Sequence, residues 1–398
     1  MRRLRVFLPI LTAAALLLPG ALRAQDKFAA LPAVEQPFVD QGEISGAVML
    51  VADKDRVLHV SAVGVSDLAT GRKMEPNDMF WIASMSKPLT ALCVAMLVDD
   101  GKLSFDDPVE KYLPEFRNLW VASEQSANRR VLVKAERPIT IHDLLTHTSG
   151  LGEYQVTGPH WTLAEMVRAL LREPLRFQPG TRWAYSTAGL DTAGRVVEVV
   201  SGMPFAEFMQ TRLLDPLGMK DTTFWLSPEQ EKRFAHSYRP AGQPGKLEEA
   251  VITYMYGGAV TDHARPALGG AGLFSTAADI AKVYQMMLRG GEFAGRQIVQ
   301  RATVAEMTRS QIGSLRARPG MPWGLGFCVI EDPTQMEANK TYSPGSFGHG
   351  GAYGTASWDD PATGLVHVFM IQRAALRPNP DDSAMRRAYE AAVAAALH

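Results

Sequence analysis

The stretch F-W-I-A-S-M-S-K-P-L-T, residues 80–90, decides how the chain folds, because it predicts where a buried helix begins. Apolar residues recur at helical spacing from there to Leu97, as on the buried face of a helix. Proline is tolerated only among the first few helical positions, so Pro88 places the start of this helix at about Ser84. Ser84 and Lys87 are three residues apart, so their side chains would lie on the same face.

Ser84 and Lys87 form the only S-x-x-K pattern in the chain, and this pair can carry nucleophilic chemistry. A serine hydroxyl needs a neighbouring base at neutral pH, which a desolvated lysine with a lowered pKa can provide. The helix N-terminus would add a positive field and the N–H group of Ser84, which can face a developing oxyanion. The same residues also fit a helix cap followed by a surface lysine, so the motif alone leaves both interpretations open. No G-x-S-x-G occurs, so the nucleophile elbow of α/β-hydrolases is absent.

The composition is that of an ordinary globular protein, with 398 residues of which 46% are hydrophobic and 21% charged. The formal net charge of -1 gives no electrostatic footprint for nucleic acid. His142, Asp143 and His147 lie close together, but their spacing suits a structural role in one loop better than a metal site. We infer neither a metal nor an organic cofactor. We expect Cys93 and Cys328, the only cysteines, to be buried free thiols.

The first residues predict an export signal. Arg2, Arg3 and Arg5 precede a short apolar segment interrupted by two prolines, which ends at the small residue Ala24. We expect cleavage after Ala24, with an uncleaved membrane anchor as the alternative. No later stretch is apolar enough to span a bilayer, so the processed protein would have no stable membrane insertion and would be periplasmic or secreted.

Strand-like segments lie towards both ends of the chain. Two β-rich runs, 44–52 and 56–64, are joined by a polar turn as in a hairpin, and alternating apolar runs follow much later, at 323–330 and 365–371 among others. A last helix fills 381–397. Strands at both ends with helices between them predict an α/β (α+β) fold with one central antiparallel sheet, built from N- and C-terminal segments and flanked by helices.

We therefore predict one catalytic domain, 25–398, after a leader at 1–24. Its sheet lobe would comprise 25–104 and 266–398, and a helical lobe, 105–265, would be inserted over one side of the sheet. A cleft between the lobes would be a natural substrate site. Several aromatic residues either line such a cleft or belong to the core: Trp161, Tyr254, Tyr256, Trp323 and Tyr353.

Six segments, in order along the chain, resemble the serine β-lactamase and penicillin-binding protein superfamily. They are S-M-S-K after F-W-I-A, L-L-T-H-T-S-G-L (144–151), F-Q-P-G-T-R-W-A-Y-S-T-A-G (177–189), D-P-L-G-M-K-D-T (215–222), A-G-L-F-S-T-A-A-D (271–279) and F-G-H-G-G-A-Y-G-T (347–355). The likeness is greatest to the class C β-lactamase branch, which includes D-alanyl-D-alanine carboxypeptidases, D-aminopeptidases and β-lactamase-like carboxylesterases. The resemblance implies a β-lactamase-like fold over almost the whole chain after the leader.

The resemblance also implies catalytic roles. Ser84 would be the acylated nucleophile, and Lys87 its proton acceptor or electrostatic partner. Tyr185 would pass a proton to the leaving group and later activate water, which a phenol can do only if a nearby cation stabilises its anion. The N–H groups of Ser84 and Ala352 would form the oxyanion hole.

The third motif of the superfamily corresponds to His349, Gly350 and Gly351, which would bind substrate from a strand beside the cleft. Many relatives have lysine and a hydroxyl residue at the first two of these positions and use them to hold a substrate carboxylate. A histidine that is largely neutral at pH 7 and a glycine would lose that charge and that hydrogen bond. Thr187 also stands where many relatives have an asparagine that steadies the lysine and binds substrate.

These departures favour small neutral substrates. We expect an exported serine hydrolase with a Ser84 acyl-enzyme that acts on carboxylic esters or small amides. The alternatives are a D-alanyl-D-alanine carboxypeptidase or weak β-lactamase acting on peptides or drugs, and a catalytically silent cell-wall binding protein of the same fold, which a misplaced Lys87 beside Thr187 would produce.

Overall fold

The computed structural model describes residues 26–126, 129–154, 158, 160–252, 258–336, 340–377 and 379–397. The expected leader at 1–24 and the candidate cleft residues Tyr254 and Tyr256 lie outside the described residues. Within these ranges, every helix is too short or too polar to cross a membrane.

Fifteen strands lie in the described ranges. They are β1 (Gly46–Asp53), β2 (Val57–Asp67), β3 (Arg72–Lys73), β4 (Phe80–Trp81), β5 (Trp120–Gln125), β6 (Arg130–Lys134), β7 (Tyr238–Pro240), β8 (Leu247–Glu249), β9 (Phe274–Ser275), β10 (Glu292–Phe293), β11 (Arg296–Gln297), β12 (Cys328–Val329), β13 (Phe347–Gly350), β14 (Ala356–Asp360) and β15 (Leu365–Met370).

The largest sheet of the described residues has seven strands in the order β12-β13-β14-β15-β1-β2-β3, and each neighbouring pair is antiparallel. Strands from the two ends of the chain meet at its centre, where Leu50 of β1 lies opposite Val368 of β15. The predicted antiparallel sheet built from N- and C-terminal segments is therefore confirmed. The division into lobes at residues 104 and 265 stays a prediction.

The predicted strand at 323–330 is mostly wrong, since only Cys328 and Val329 join the sheet. The residues before them bond elsewhere: the Leu325 N–H donates to the Met307 carbonyl and the Gly326 N–H to the Leu145 carbonyl. Gly326 also has a φ of +80°, so the backbone turns there instead of running straight along a strand.

The helices of the described residues are α1 (Leu31–Asp40), α2 (Ser86–Asp99), α3 (Ile141–Thr146), α4 (Leu163–Leu170), α5 (Thr187–Ser201), α6 (Phe205–Met209), α7 (Asp215–Leu217), α8 (Pro228–Glu231), α9 (Ala277–Leu288), α10 (Arg301–Met307) and α11 (Ala384–Ala395). Many lie between β4 and β12 along the chain, as expected for an inserted helical region. The last one is shorter than the predicted helix at 381–397, because a 3-10 turn at Pro380–Asp382 precedes it.

Helices cover both faces of the seven-stranded sheet. Successive side chains of a strand point to opposite faces, so Val48 and Leu50 of β1 enter one core while Met49 and Val51 enter the other. The first core also contains residues of α2, α5 and α9, and the second contains residues of α1 and α11. Burial on both faces explains why all eight residues of β1 except the last are buried.

Helix α2 passes through the first core. A 3-10 turn at Ala83–Met85 leads directly into it, so the helical path begins about where Pro88 placed it. Every residue from Ser86 to Leu97 is buried, not only those on one face, because α5 and α6 pack on this helix in addition to the core under the sheet. The motif residues therefore start a rigid, central element.

Candidate active site

Ser84 lies in the 3-10 turn at the N-terminal end of α2, directly after a residue in a rare backbone conformation. Ala83 has a φ of 47°, in the left-handed region, which costs a residue other than glycine about 1 kcal/mol. The Ser86 hydroxyl donates to the Ala83 carbonyl at 2.7 Å and accepts the Leu273 N–H at 3.1 Å. These bonds fix the turn, which leaves Ser84 half-buried beside a cavity.

Lys87 is completely buried, with its amine against Ser84. Its Nζ atom donates to the Gly270 carbonyl at 2.6 Å and to the Ser84 Oγ atom at 3.1 Å, and it lies 3.5 Å from the Thr187 Oγ1 atom. The same atom is 4.7 Å from the centre of the Tyr185 ring. Lys87 is therefore not a surface lysine, and its amine lies between the serine hydroxyl and the phenol.

The charge of Lys87 is set by burial and by carboxylates around it. Burial lowers the pKa of Lys87 to about 7, although the nearby carboxylates of Asp191 and Glu153 favour the charged form. Asp191, on α5, is buried as well, and burial raises its pKa. Its carboxylate accepts the Gly270 N–H at 2.7 Å and the Tyr154 hydroxyl at 3.0 Å. Asp191 thus holds the loop that carries the Gly270 carbonyl in place, and its negative charge favours the protonated form of Lys87.

His147 holds the chain on both sides of Tyr185. Its carbonyl accepts the Ala184 N–H at 3.0 Å and its Nδ1 atom accepts the Ser186 N–H at 3.1 Å, while the His147 and Tyr185 ring centres are 4.5 Å apart. Burial lowers the pKa of His147 well below its usual value, so the ring is neutral and Nδ1 keeps the lone pair that it needs as an acceptor. His147 thereby sets the position of the phenol.

His349 faces the same group of rings from strand β13, where it pairs with Ser357 of β14. Its Nδ1–H donates to the Gly350 carbonyl at 2.6 Å, and its ring centre lies 6.2 Å from that of Tyr185 and 5.5 Å from that of Trp323. Burial lowers the pKa of His349 to about 3. With this lowered pKa the ring is neutral at pH 7, in agreement with the expectation for the start of the third motif.

The two glycines of the third motif are required by close approach rather than by a bulge. Gly350 keeps regular register with Ala356, so the strand is not bulged there. At Gly351 a Cβ atom would lie 2.7 Å from the Ile82 carbonyl oxygen and 2.0 Å from the Thr355 Oγ1 atom. Only glycine lets the end of β13 come this close to the residues that precede Ser84.

A cavity of about 180 Å³ opens at Ser84. It is lined by predicted site residues and by others: Ser84, Tyr185, Arg318, Trp323, Cys328, His349, Gly350, Gly351, Ala352, Pro380 and Asp381. The serine, the phenol, the third motif and Ala352 therefore share one space, with Lys87 buried behind the serine.

The structure brings together every predicted site residue, but several contributors to the site, among them Asp191 and His147, were not predicted. Asp191 carried a signal in the sequence, because it lies four residues after Thr187 in an apolar helical run and so shares its face. His147 was assigned only to its loop. Its contact with Tyr185 arises from tertiary folding, which residue spacing does not encode.

The remaining candidates have structural roles. Asp143 caps α3 and accepts bonds from Arg137, at 2.6 Å, and from Thr148, at 2.8 Å. No cluster of three or more His, Cys, Asp or Glu side chains in the described ranges could hold a metal ion. Cys93 and Cys328 are free and buried, as predicted, and burial raises the pKa of both thiols. Of the aromatic candidates, Trp323 lines the cavity, Tyr353 lies in a small hydrophobic cluster apart from the two main cores, and Trp161 packs against the first core.

Comparison with known proteins places this architecture in a family. A family model described as Beta-lactamase matches residues 31–393. The chain is 34% identical to Esterase EstB of Burkholderia gladioli over 89% of this chain and 92% of the relative. It is 33% identical to Lovastatin esterase of Penicillium rubens over 75% of this chain and 78% of the relative.

A solved structure gives the same assignment. The solved structure of EstCE1, described as a hydrolase with promiscuous acyltransferase activity, superposes with a TM-score of 0.77 and 26% identity, over 93% of this chain and 99% of that one. The chain therefore belongs to the beta-lactamase family and has the fold of that family's serine hydrolases.

Proposed function

We propose that this protein is an exported serine hydrolase that forms an acyl-enzyme on Ser84 and acts on neutral carboxylic esters or small amides. The observation that carries the proposal is the position of the Lys87 amine, which is buried, 3.1 Å from the Ser84 hydroxyl oxygen and 4.7 Å from the centre of the Tyr185 ring. A lysine whose pKa is lowered by burial can accept the serine proton near neutral pH.

In the acylation step Lys87 takes the proton of Ser84 as its Oγ atom attacks the substrate carbonyl. The N–H groups of Ser84 and Ala352 stabilise the negative oxygen of the tetrahedral intermediate. Tyr185 gives its proton to the departing alkoxide or amine, and the protonated Lys87 restores it. In deacylation the neutral Lys87 takes the proton of Tyr185, and the phenolate accepts a proton from the water that attacks the ester of Ser84. The protonated Lys87 then returns a proton to the Ser84 Oγ atom as the acid leaves.

The preference for neutral substrates rests on the third motif. His349 carries no charge at neutral pH, and Gly350 offers no hydroxyl, so neither side chain attracts a substrate carboxylate. The similarity to two proteins named as esterases, EstB and Lovastatin esterase, supports the same preference. Thr187 does not misplace the lysine, because the Gly270 carbonyl holds the amine at 2.6 Å.

The test is a comparison of initial rates on a short-chain nitrophenyl ester, a chromogenic cephalosporin and a D-Ala-D-Ala peptide, each with the wild type and Ser84→Ala. Ester turnover that disappears in the variant is expected. Faster turnover of the cephalosporin or the peptide would favour a β-lactamase or carboxypeptidase, and no serine-dependent turnover of any substrate would favour a silent binding protein.

Removing the charge of Asp191 should shift the pH dependence of the reaction. The Asp191 carboxylate favours protonated Lys87, so Asp191→Asn should lower the pKa of the amine further and move the acid limb of the kcat/KM profile to lower pH. The asparagine oxygen can still accept the Gly270 N–H. A limb that stays in place, or moves to higher pH, would show that Lys87 is not the titrating base.

Changing His147 should lower kcat more than it raises KM, because His147 orients Tyr185 and lies outside the lining of the cavity. His147→Gly keeps the left-handed backbone at φ 62° but removes the ring and its acceptor, and we expect about a 10²-fold loss in kcat. His147→Asn tolerates the same backbone and restores an acceptor, so it should recover part of that loss. Equal activity of the two variants would count against the role of the Nδ1 bond.

A further inference from the structure

The carboxylate of Asp381 lies against Gly350, the glycine that stands where many relatives have a hydroxyl residue. A Cβ atom at Gly350 would lie only 2.0 Å from the Asp381 Oδ1 atom, so no other residue fits there while Asp381 keeps its place. Asp381 belongs to the 3-10 turn at Pro380–Asp382, and the side chain of Asn379 accepts its N–H at 2.9 Å. Both Gly350 and Asp381 line the cavity at Ser84.

Two arginines hold this carboxylate. Arg318 donates to the Asp381 Oδ2 atom at 2.7 Å, and Arg386 approaches the Oδ1 atom at 3.2 Å. Arg386 is buried and also donates to Glu390 at 2.8 Å, whereas Arg318 lines the cavity and is partly exposed. Partial burial acts to raise the pKa of Asp381, but the two cations keep it below its usual value, so the carboxylate is ionised at neutral pH.

The Asp381 carboxylate thus lies between two guanidinium groups, against Gly350 and in the cavity that Ser84 lines. We propose that the Asp381 carboxylate itself fills the anion-binding position of this cavity. Asp381 is then a specificity-determining residue, because it favours substrates that have no carboxylate near the scissile bond. Only the specificity role in this inference rests on the proposed hydrolase function. The occupancy itself is tested by binding.

The charges around the cavity explain why a substrate that carries a carboxylate would bind poorly. A substrate carboxylate would meet the Asp381 charge and would find Arg318 already paired, while His349 is neutral and contributes no attraction. Removing the Asp381 charge would take this carboxylate away from Arg318 at the cavity wall, while the buried Arg386 keeps its pair with Glu390. The cavity would then become a receptor for a small carboxylate.

The binding test uses acetate as the probe. Acetate at millimolar concentration should raise the melting temperature of Asp381→Ala, because it fills the space that the aspartate leaves, and should not raise that of the wild type. The matched control is Asp55→Ala, which removes the partner of Arg289 in a surface Arg–Asp pair with a 2.8 Å contact. The double variant Asp381→Ala, Arg318→Gln should lose the response. Equal responses of Asp381→Ala and Asp55→Ala would overturn the proposal.

The kinetic test uses 3-acetoxybenzoate and 3-acetoxybenzamide, which differ in one leaving-group charge. We expect the wild type to favour the amide-bearing ester and Asp381→Asn, which keeps the shape of the side chain, to shift the ratio of kcat/KM values about 10-fold towards the anion. Adding Arg318→Gln should reverse the shift. An unchanged ratio in Asp381→Asn would overturn the specificity role of Asp381. If the wild type showed no Ser84-dependent turnover of either ester, the proposed hydrolase function would be overturned. The acetate test would then still decide whether Asp381 occupies an anion-binding position.

Discussion

Replacing Lys87 with methionine is expected to lower kcat/KM for a short-chain ester by about 10³-fold or more. Methionine has nearly the length of the lysine stem and fills the same buried space, but it removes the only amine within hydrogen-bond distance of the Ser84 hydroxyl oxygen in the described residues. The Ser84 hydroxyl then loses the amine 3.1 Å from its oxygen, and the phenol loses the amine 4.7 Å from its ring centre. The measurement is steady-state kinetics of the purified variant.

A matched control separates lost chemistry from lost structure. Lys111→Met removes an exposed lysine that pairs with Asp107 on the surface, and its kinetics should remain those of the wild type. Lys87→Met should also keep a cooperative melting transition, since the buried Asp191 that faces it can take up a proton. Full activity of a folded Lys87→Met would remove the lysine from the proposed mechanism.

Replacing Glu35 with glutamine should stabilise the protein strongly at alkaline pH. Glu35 lies on α1 with no exposed surface, and neither carboxylate oxygen has a hydrogen-bond partner among the described residues. Burial raises the pKa of Glu35 to about 8 from 4.5. The folded state therefore holds this proton between pH 4.5 and pH 8 while the unfolded state releases it, so stability falls as the pH rises through that range.

The ionisation of Glu35 should lower the free energy of unfolding of the wild type by on the order of 4 kcal/mol between pH 4.5 and pH 8. Glutamine does not ionise, so Glu35→Gln should not show this loss. Urea unfolding at several pH values gives the free energy of unfolding of each form. The difference between Glu35→Gln and the wild type should grow with pH, whereas Glu75→Gln at an exposed position should show little change. A constant difference across the range would mean that Glu35 ionises in the folded state as it does in the unfolded chain.

Much of the fold could be predicted from patterns within short stretches of the sequence. The position of Pro88 located the start of α2, and the β-rich run 44–52 and the alternating run 365–371 identified β1 and β15, because these signals depend on neighbouring residues alone. The run at 323–330 alternates in the same way, yet only Cys328 and Val329 join the sheet, while Leu325 bonds to the end of α10 and Gly326 to α3. Such competition between partners is a tertiary property.

The site, like the fold, could be predicted only in part from the sequence. Ser84 and Lys87 share one helix turn, so their spacing predicts a contact, and the structure places their side-chain atoms 3.1 Å apart. Tyr185 and His349 were assigned by resemblance to a family. The contacts of His147 with Tyr185 and of Asp381 with Gly350 join distant segments of the chain, and no pattern in either segment indicates them.

The central claim is that the acyl group of the substrate is carried by Ser84, and tandem mass spectrometry of the protein quenched during turnover of a nitrophenyl ester tests it most directly. We predict a mass gain equal to one acyl group on the peptide that contains residues 80–90, assigned to Ser84, absent in Ser84→Ala and retained in Ser86→Ala. The Ser86 hydroxyl is bonded to the Ala83 carbonyl and serves as the neighbouring control. An acyl group on any other residue, or one that persists in Ser84→Ala, would contradict the account.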